Sequence, residues 1–192
     1  PFSAAGVAGI KEIVTGAGHE FAALEKYADA SELIAAVADV DALIIRSDKV
    51  TAEVLDAAKQ LKIVVRAGAG YDNVDLAAAT AHNVVVMNTP GQNSNAVAEL
   101  AIAMMIYMSR NQFTPATGTE IQGRKVGIQA FGNVGRLVGK KAEALGMSVM
   151  AIDPFIPAEK IREAGAEPAD SLEHMYASCD FISVHIPATP QT

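Results

Sequence analysis

The chain has 192 residues, of which 51% are hydrophobic and 19% are charged, and its formal net charge is −7 at pH 7. This length suits one large domain or two small ones, and the hydrophobic content suffices for buried cores. The negative charge argues against nucleic acid or an anionic membrane as the main partner. Cys179 is the only cysteine, which excludes an internal disulfide and favours a reducing compartment. The longest apolar run is too short to span a membrane and no signal-peptide pattern opens the chain, so we expect a soluble, cytoplasmic protein.

Helix and strand patterns alternate along the first half of the chain, which predicts an α/β fold. Ser3, Thr51 and Asp75 stand where helices begin, because their side chains can accept hydrogen bonds from the first free amides of a helix. A further short helix is expected from Ser31. Strands are predicted at residues 21–24, 42–45, 63–65 and 84–87. The first of these is weak, and the second is expected to be buried.

The segment NTPGQNSN, residues 88–95, interrupts this pattern with Pro90, Gly91 and a run of polar residues. We interpret it as the crossing between two domains, which divides the chain into residues 1–88 and 89–192. An apolar helix is predicted at 96–110, and its near-continuous apolar character indicates burial on more than one side. Core packing and a subunit interface both explain such a surface.

The most informative segment is residues 125–153, KVGIQAFGNVGRLVGKKAEALGMSVMAID. It predicts an apolar strand, a glycine turn, an amphipathic helix, a second apolar strand and a terminal acid, which is the order of a dinucleotide-binding βαβ unit. Gly132 would let the backbone approach a pyrophosphate, and Gly135 would let the helix pack closely on the strand. The amides of Asn133 and Val134 would face an anion at the helix N-terminus.

The acid at the end of this unit, Asp153, bears on the choice of cofactor. It lies close to the spacing of roughly 20 residues expected for an acid that binds a ribose 2′-hydroxyl. It would repel a 2′-phosphate, and the next basic residue is Lys160, so NAD is favoured over NADP. Ala130 replaces the first glycine of the usual pattern, which a tight turn accommodates if its φ stays negative. The alternative is an ordinary βαβ crossover whose glycines merely turn the chain.

A second glycine-rich loop, RAGAGYDNVD at residues 66–75, follows a predicted strand directly. Gly68 and Gly70 flank Ala69, so the backbone can turn its N–H groups toward one point and hold a carboxylate or phosphate. Arg66 begins this loop, and Arg46 ends the neighbouring strand, where anionic ligands bind in open α/β sheets. The alternative is a turn whose surface arginines pair with nearby acids, Asp48 or Asp72.

After Asp153 we expect a helix near 158–163, a helix from Ser171 and a strand at 181–184. His185 closes that strand, which in the usual strand order lies beside the glycine-turn strand, so His185 should line the cofactor site. We assign it no proton transfer, because a lone histidine there is more often a structural hydrogen-bonding group. The other histidines lack acidic or cysteine partners at ligand spacing, so no metal site is predicted.

Six segments together resemble the D-2-hydroxyacid dehydrogenase family: IIRSDKVT, VRAGAGYDNVDL, VVVMNTPGQNSNAVAEL, VGIQAFGNVGR, AIDP and CDFISVHIPATPQT. They follow the family's order and cover essentially the whole chain. The resemblance implies a flavodoxin-like substrate domain at 1–88, lacking its first strand, and a Rossmann NAD-binding domain at 89–192, of which only the N-terminal part is present. It also implies a homodimer, which we expect to form through the helix at 96–110.

The resemblance also implies site residues. Substrate contacts are expected at Arg46, Arg66, Gly68, Ala69, Gly70 and Asn93. NAD contacts are expected at Ala69, which would reach the cofactor from the substrate domain, and at Phe131, Gly132, Asn133, Val134, Gly135, Asp153, Pro154, His185, Ile186 and Pro187. The catalytic proton-transfer residues are expected after Thr192, so none is assigned within this chain.

Within the family, the motifs are most similar to the members that oxidise D-3-phosphoglycerate with NAD, the first step of serine biosynthesis. Arg46 favours a small phosphorylated 2-hydroxy acid, because a simple hydroxy acid needs only one anion clamp. Two alternatives stay open. One is another D-2-hydroxyacid dehydrogenase, acting on glyoxylate, hydroxypyruvate or formate. The other is an NAD-sensing binding protein similar to the C-terminal binding protein corepressors.

Overall fold

The computed structural model describes residues 2–24 and 26–187. It divides into two compact units, an N-terminal unit, Pro1–Pro90, and a C-terminal unit, Gly91–Thr192. The boundary expected from the sequence, after residue 88, lies two residues earlier. Both units combine helices with a parallel sheet, so the predicted α/β class is confirmed.

The N-terminal unit contains a sheet of parallel strands in the order β1-β2-β3. Its elements in chain order are α1 (Ala4–Gly16), α2 (Ala30–Ala36), β1 (Ala42–Ile45), α3 (Ala52–Ala57), β2 (Ile63–Arg66), α4 (Leu76–Ala81) and β3 (Val85–Asn88). The side chains of Ser3, Thr51 and Asp75 accept hydrogen bonds from amides in the first turns of α1, α3 and α4, as predicted. Since these caps join residues three apart, they form wherever the local sequence provides them.

Three predictions for this unit are wrong in detail. Residues 21–24 form no strand, because a strand needs a hydrogen-bonding neighbour and the described β1 pairs only with β2. Helix α2 begins at Ala30 with Asp29 as its N-cap, and not at Ser31, since Asp29 and Glu32 form a capping box. Only Ile45 of β1 is buried, because β1 lies at the edge of the described sheet.

The C-terminal unit begins with α5 (Ser94–Ser109) and holds a sheet with the order β6-β5-β4-β7. Its other elements are a short 3-10 turn (Asn111–Phe113), β4 (Lys125–Gln129), α6 (Asn133–Ala144), β5 (Ser148–Ile152), α7 (Ala158–Glu163), β6 (Glu167–Pro168), α8 (Leu172–Ser178) and β7 (Phe181–Val184). All the sheet pairings are parallel. The prediction that the last strand lies beside the glycine-turn strand is therefore confirmed, because β7 pairs with β4.

Each unit has its own hydrophobic core. In the N-terminal unit, Ile45, Val50, Leu55 and Val64 are fully buried. In the C-terminal unit the core joins α5 and α6 to β4 and β5. Within the described part of the chain, no helix has the length and apolar character needed to cross a bilayer.

Candidate nucleotide- and anion-binding sites

The turn between β4 and α6 brings the backbone to the carboxyl end of the C-terminal sheet. The Ala130 amide donates to the Ile152 carbonyl over 2.9 Å, which ties the turn to the end of β5. Gly132 is the N-cap of α6, and an added β-carbon there would meet no protein atom within 4 Å. Packing of the chain on itself therefore does not require this glycine, and the space beside its backbone is open.

Ala130 adopts a conformation that the sequence did not lead us to expect. Its φ is +72°, in the left-handed region, so the condition of a negative φ under which alanine would fit the turn is not met. The turn must reverse direction between the end of β4 and the cap of α6, and the chain makes that reversal at Ala130 with an ordinary L-residue. Such a conformation costs about 1–2 kcal/mol for a residue with a β-carbon.

Gly135 has the packing role predicted for it. A β-carbon added at this position would overlap the Ala130 carbonyl oxygen and lie 3.0 Å from Cγ2 of Ile128. The helix can approach β4 this closely only because Gly135 has no side chain. This proximity brings the first amides of α6, those of Asn133 and Val134, to the end of the strand. In any α-helix these amides have no partner within the helix, and the helix dipole makes the place favourable for an anion.

Asp153, directly after β5, is held by two backbone amides. Its Oδ2 accepts from the Phe131 amide and its Oδ1 from the Phe155 amide, both over 2.8 Å. The acid that follows β5 is thus hydrogen-bonded to the glycine turn that follows β4. A carboxylate has about four acceptor positions, so these bonds leave it able to accept from a hydroxyl as well.

Phe131 itself contributes its backbone and not its side chain. The ring is buried in the core of the C-terminal unit, and the amide is used by Asp153. Its carbonyl accepts a hydrogen bond from Nε of Arg136 over 3.0 Å. Sequence reasoning missed Arg136; the available signal was a basic residue in the first turn of a helix, where the dipole disfavours a cation.

The end of β7 adds the residues after Val184 to the same edge of the sheet. The His185 amide donates to the Gln129 carbonyl over 2.9 Å, and Nε2 of His185 lies 2.9 Å from Oγ of Ser183. Burial lowers the pKa of His185 below its ordinary value of 6.5, so the ring is neutral at pH 7. Ile186 is half-buried, while Pro187 and Pro154 are exposed.

The two arginines predicted to bind an anion stand at the ends of adjacent strands in the N-terminal unit. Arg46 follows β1, and Arg66 ends β2 as the partner of Ile45 in the sheet register. The guanidinium of Arg66 lies over Gly68, in the place that a β-carbon of Gly68 would fill. Its Nε is buried without a hydrogen-bond partner among the described residues, which leaves a donor available in this loop.

The glycine loop after β2 is fixed by the end of β3. The Thr89 amide donates to the Gly68 carbonyl over 2.9 Å, and Nδ2 of Asn88 donates to the Ala69 carbonyl over 2.7 Å. These bonds use carbonyl groups of the loop. The Gly68 amide donates to the Arg66 carbonyl over 2.9 Å, so the anion contact predicted for this amide is already replaced by a bond within the loop. Gly70 is exposed. The sequence did not single out Asn88, although a polar residue that ends an apolar strand is a general signal for such a role.

The alternative pairing of these arginines with nearby acids is not what the structure records for Arg66. No ion pair within the described ranges joins Arg66 to Asp48 or Asp72. The Asp48 carboxylate accepts from the Tyr27 hydroxyl over 2.9 Å and from the Arg46 amide over 3.4 Å. Burial, followed by the bond to Asp48, raises the pKa of Tyr27.

Asn93 lies in the C-terminal unit, at the N-cap of α5, where its exposed side chain makes no capping hydrogen bond. No group of three or more potential metal ligands occurs in the described part of the chain. The site residues therefore fall into two sets. One set is cationic and lies at the end of the N-terminal sheet, and the other surrounds the glycine turn of the C-terminal sheet.

Comparisons with known proteins identify one family over most of the chain. The family model for D-isomer specific 2-hydroxyacid dehydrogenase, catalytic domain, matches residues 5–183. D-3-phosphoglycerate dehydrogenase of Mycobacterium tuberculosis is 43% identical over 178 residues, which are 85% of this chain and 34% of the relative. The enzyme of the same name from Rattus norvegicus is 43% identical over 176 residues, 84% of this chain and 33% of the relative. The chain thus spans about a third of the length of these curated relatives.

Solved structures are similar over a larger share of their length. NAD+-bound 3-phosphoglycerate dehydrogenase of Entamoeba histolytica is 43% identical with a TM-score of 0.92, and the match covers 100% of this chain and 61% of that one. NAD-dependent formate dehydrogenase of Staphylococcus aureus, in complex with NAD, is 29% identical with a TM-score of 0.81, over 95% of this chain and 59% of that one.

Proposed function

This chain belongs to the D-isomer specific 2-hydroxyacid dehydrogenase family, and on that premise we propose that its protein oxidises D-3-phosphoglycerate to 3-phosphohydroxypyruvate with NAD, as the first step of serine biosynthesis. The N-terminal unit would bind the substrate and the C-terminal unit the cofactor. The observation that carries the substrate assignment is the pair of arginines at the ends of β1 and β2. Relatives of that name at 43% identity support it.

The residues around the glycine turn fit an NAD molecule. A ligand can approach Gly132 because no protein atom occupies the place of a β-carbon there. The amides of Asn133 and Val134 would hold the pyrophosphate. Asp153 would accept from the ribose 2′-hydroxyl, and its charge would exclude a 2′-phosphate. Pro154 and residues 185–187 would line the same edge of the sheet.

In this proposal a bound NAD would supply the acceptor for the hydride that leaves C2 of the hydroxy acid. The chain's own residues bind and orient the substrate. Arg66 and the amides of Ala69 and Gly70 would hold the carboxylate, and Arg46 would contact the phosphate. We assign no proton transfer to His185, whose neutral ring is bonded to Ser183.

Another substrate of the family is the second candidate. The formate dehydrogenase resembles this chain at 29% identity, and a small hydroxy acid or formate would need only one of the two arginines. The phosphorylated substrate is preferred because both arginines stand at the ends of adjacent strands, at the same edge of one sheet. The corepressor-like alternative has no observation in its favour.

Replacing Arg46 tests the substrate directly, in the full-length protein. Arg46→Ala should raise KM for 3-phosphohydroxypyruvate more than for unphosphorylated hydroxypyruvate, by about 1–3 kcal/mol in differential binding, because only the first substrate carries the phosphate. Arg46→Lys should show a smaller difference of the same sign, since lysine keeps the charge and loses the planar fork.

The exposed Lys49 provides the matched control. Lys49→Ala removes one positive charge from the same loop and should change KM for both substrates equally. If Arg46→Ala raises KM for both substrates to the same extent, the proposal of a phosphorylated substrate is wrong, although the family assignment stands.

We also propose a homodimer that forms through α5, and a cytoplasmic location. The dimer is supported by the apolar side chains that α5 leaves exposed in the single chain, which include Leu100, Met104 and Met108. The location is supported by the single cysteine and the acidic charge.

A further inference from the structure

The backbone of Phe131 is held on both sides of its Cα. Its amide donates to Oδ2 of Asp153 over 2.8 Å, and its carbonyl accepts from Nε of Arg136 over 3.0 Å. The ring is buried in the core of the C-terminal unit. Both backbone dihedrals of Phe131 are therefore constrained, one by an acid after β5 and the other by a base on α6.

The residue before Phe131 makes such a restraint necessary. Ala130 has a φ of +72°, and a left-handed alanine costs about 1–2 kcal/mol relative to an ordinary backbone conformation. A turn strained to this extent tends to relax unless neighbouring groups over-determine its shape. The amide of Ala130, the amide of Phe131 and the carbonyl of Phe131 supply three such restraints.

Electrostatics do not account for Arg136 at this position. It lies in the first turn of α6, which has no acidic residue there, and a cation at this end of a helix is disfavoured by about 0.3–1 kcal/mol. Among the described residues Arg136 takes part in no ion pair. Its side chain donates a hydrogen bond to the Phe131 carbonyl. We therefore explain the contribution of Arg136 by this bond and not by its charge.

We propose that Arg136 is a positioning residue for NAD: its hydrogen bond to the Phe131 carbonyl holds the strained turn so that the Phe131 amide stays directed at Asp153. Asp153 is thereby kept in the orientation that accepts a ribose hydroxyl and repels a 2′-phosphate. Arg136 touches neither the substrate nor the reacting atoms. This inference rests on the proposed function, because it assigns a role toward the NAD of that same site.

The test uses the full-length protein with three substitutions. Arg136→Met keeps the length of the stem and removes the donor. Arg136→Gln removes the charge but offers an amide donor to the same carbonyl. Lys140→Met is the control, because Lys140 lies one turn further along α6, is exposed, and has no recorded partner in the described structure. The dissociation constants of NAD and NADP are measured by calorimetry, and the thermal midpoint is measured without nucleotide.

Arg136→Met should weaken NAD binding by about 2- to 12-fold, the range that corresponds to one net hydrogen bond. It should also narrow the preference for NAD over NADP, because Asp153 loses its fixed orientation. Arg136→Gln should recover part of the NAD affinity and part of the preference for NAD over NADP. Lys140→Met should change neither the affinity nor the preference. A merely structural role would lower the thermal midpoint and leave the NAD/NADP ratio of the folded protein unchanged.

Three results would overturn the inference. The first is an unchanged NAD/NADP ratio in Arg136→Met. The second is an equal loss of NAD affinity in Arg136→Met and Arg136→Gln, which would show that the charge of Arg136, and not its hydrogen bond, supports NAD binding. The third is a wild-type protein that binds no NAD, which would remove the proposed function and this role together. The first two leave NAD binding by the wild type intact, so the two kinds of failure are distinguishable.

Discussion

At the scale of single residues, Ala130 shows how a dinucleotide turn forms without its first glycine. The residue adopts a φ of +72°, and the hydrogen bond from its amide to Ile152 joins the turn to β5 over 2.9 Å. The neighbouring Phe131 amide donates to the carboxylate of Asp153, the residue that follows β5. The strain of one residue is thus offset by contacts to an element that is distant in the sequence.

Ala130→Gly should therefore stabilise the protein. Glycine adopts a positive φ without a steric penalty, and after subtraction of its greater freedom in the unfolded state the gain is about 0.5–1 kcal/mol. The measurement is the free energy of unfolding in urea. Ala35→Gly, at an exposed position inside α2, serves as the control and should lose about 1 kcal/mol. A loss of similar size in Ala130→Gly would show that the left-handed conformation is not adopted in solution.

At the scale of the element, the contact between α6 and β4 depends on one face of the helix. Gly135, Val138, Gly139 and Ala142 are its buried residues. Small residues at Gly135 and Gly139 allow the helix axis to approach the sheet, while Val138 fills the core beside them. The two glycines differ in how much space surrounds them. A β-carbon at Gly135 would overlap the Ala130 carbonyl, whereas one at Gly139 would have its nearest neighbours at 3.4 Å.

This difference predicts different results for two similar substitutions. Gly135→Ala should destabilise the protein by about 1–3 kcal/mol, because the backbone of the turn must move. It should also weaken NAD binding, because α6 then stands further from β4. Gly139→Ala should stay within about 1 kcal/mol of the wild type, since the better helix propensity of alanine offsets slight crowding. Thermal unfolding and NAD titration of both variants check this; similar behaviour of the two would contradict the close approach at Gly135.

At the scale of the whole molecule, α5 has two apolar faces, of which the C-terminal unit covers one. Ala98, Ile102 and Met105 are buried in its core. Leu100, Met104 and Met108, at helical spacing on another side, are 61%, 59% and 58% exposed. Core packing thus explains the first face and leaves the second to be explained. A row of large apolar side chains on an exposed helix is typical of a protein–protein contact.

Met104→Glu should separate the proposed homodimer into monomers in the full-length protein. A charge placed in an apolar interface has no partner, and burying it costs several kcal/mol. Analytical ultracentrifugation over a range of concentrations measures the effect. Ala144→Glu, which adds the same charge at an exposed position of α6, should leave the association unchanged. A wild-type protein that sediments as a monomer, or a Met104→Glu variant that stays dimeric, would refute an interface through α5.

Much of the fold was predictable because its signals are local. The strand at 42–45 and the caps at Ser3, Thr51 and Asp75 depend on neighbouring residues and occur where the pattern predicted them. The weak strand at 21–24 is absent, and the two-residue β6 was not foreseen, because such short strands exist only through pairing with another strand. The place of β7 beside β4 was predicted from the usual strand order of such a fold once the βαβ unit was identified.

In the candidate sites, the residues at the ends of strands could be identified from the amino-acid pattern alone: Arg46, Arg66, the glycine turn, Asp153 and His185. Their positions follow from periodicity, which is a property of consecutive residues. Three other features became visible only in the folded molecule: the positive φ of Ala130, the position of the Arg66 guanidinium over Gly68, and the bonds of Phe131 to Asp153 and Arg136. These features depend on how closely one element packs on another, and that distance results from the sum of many contacts and is not encoded at any single position.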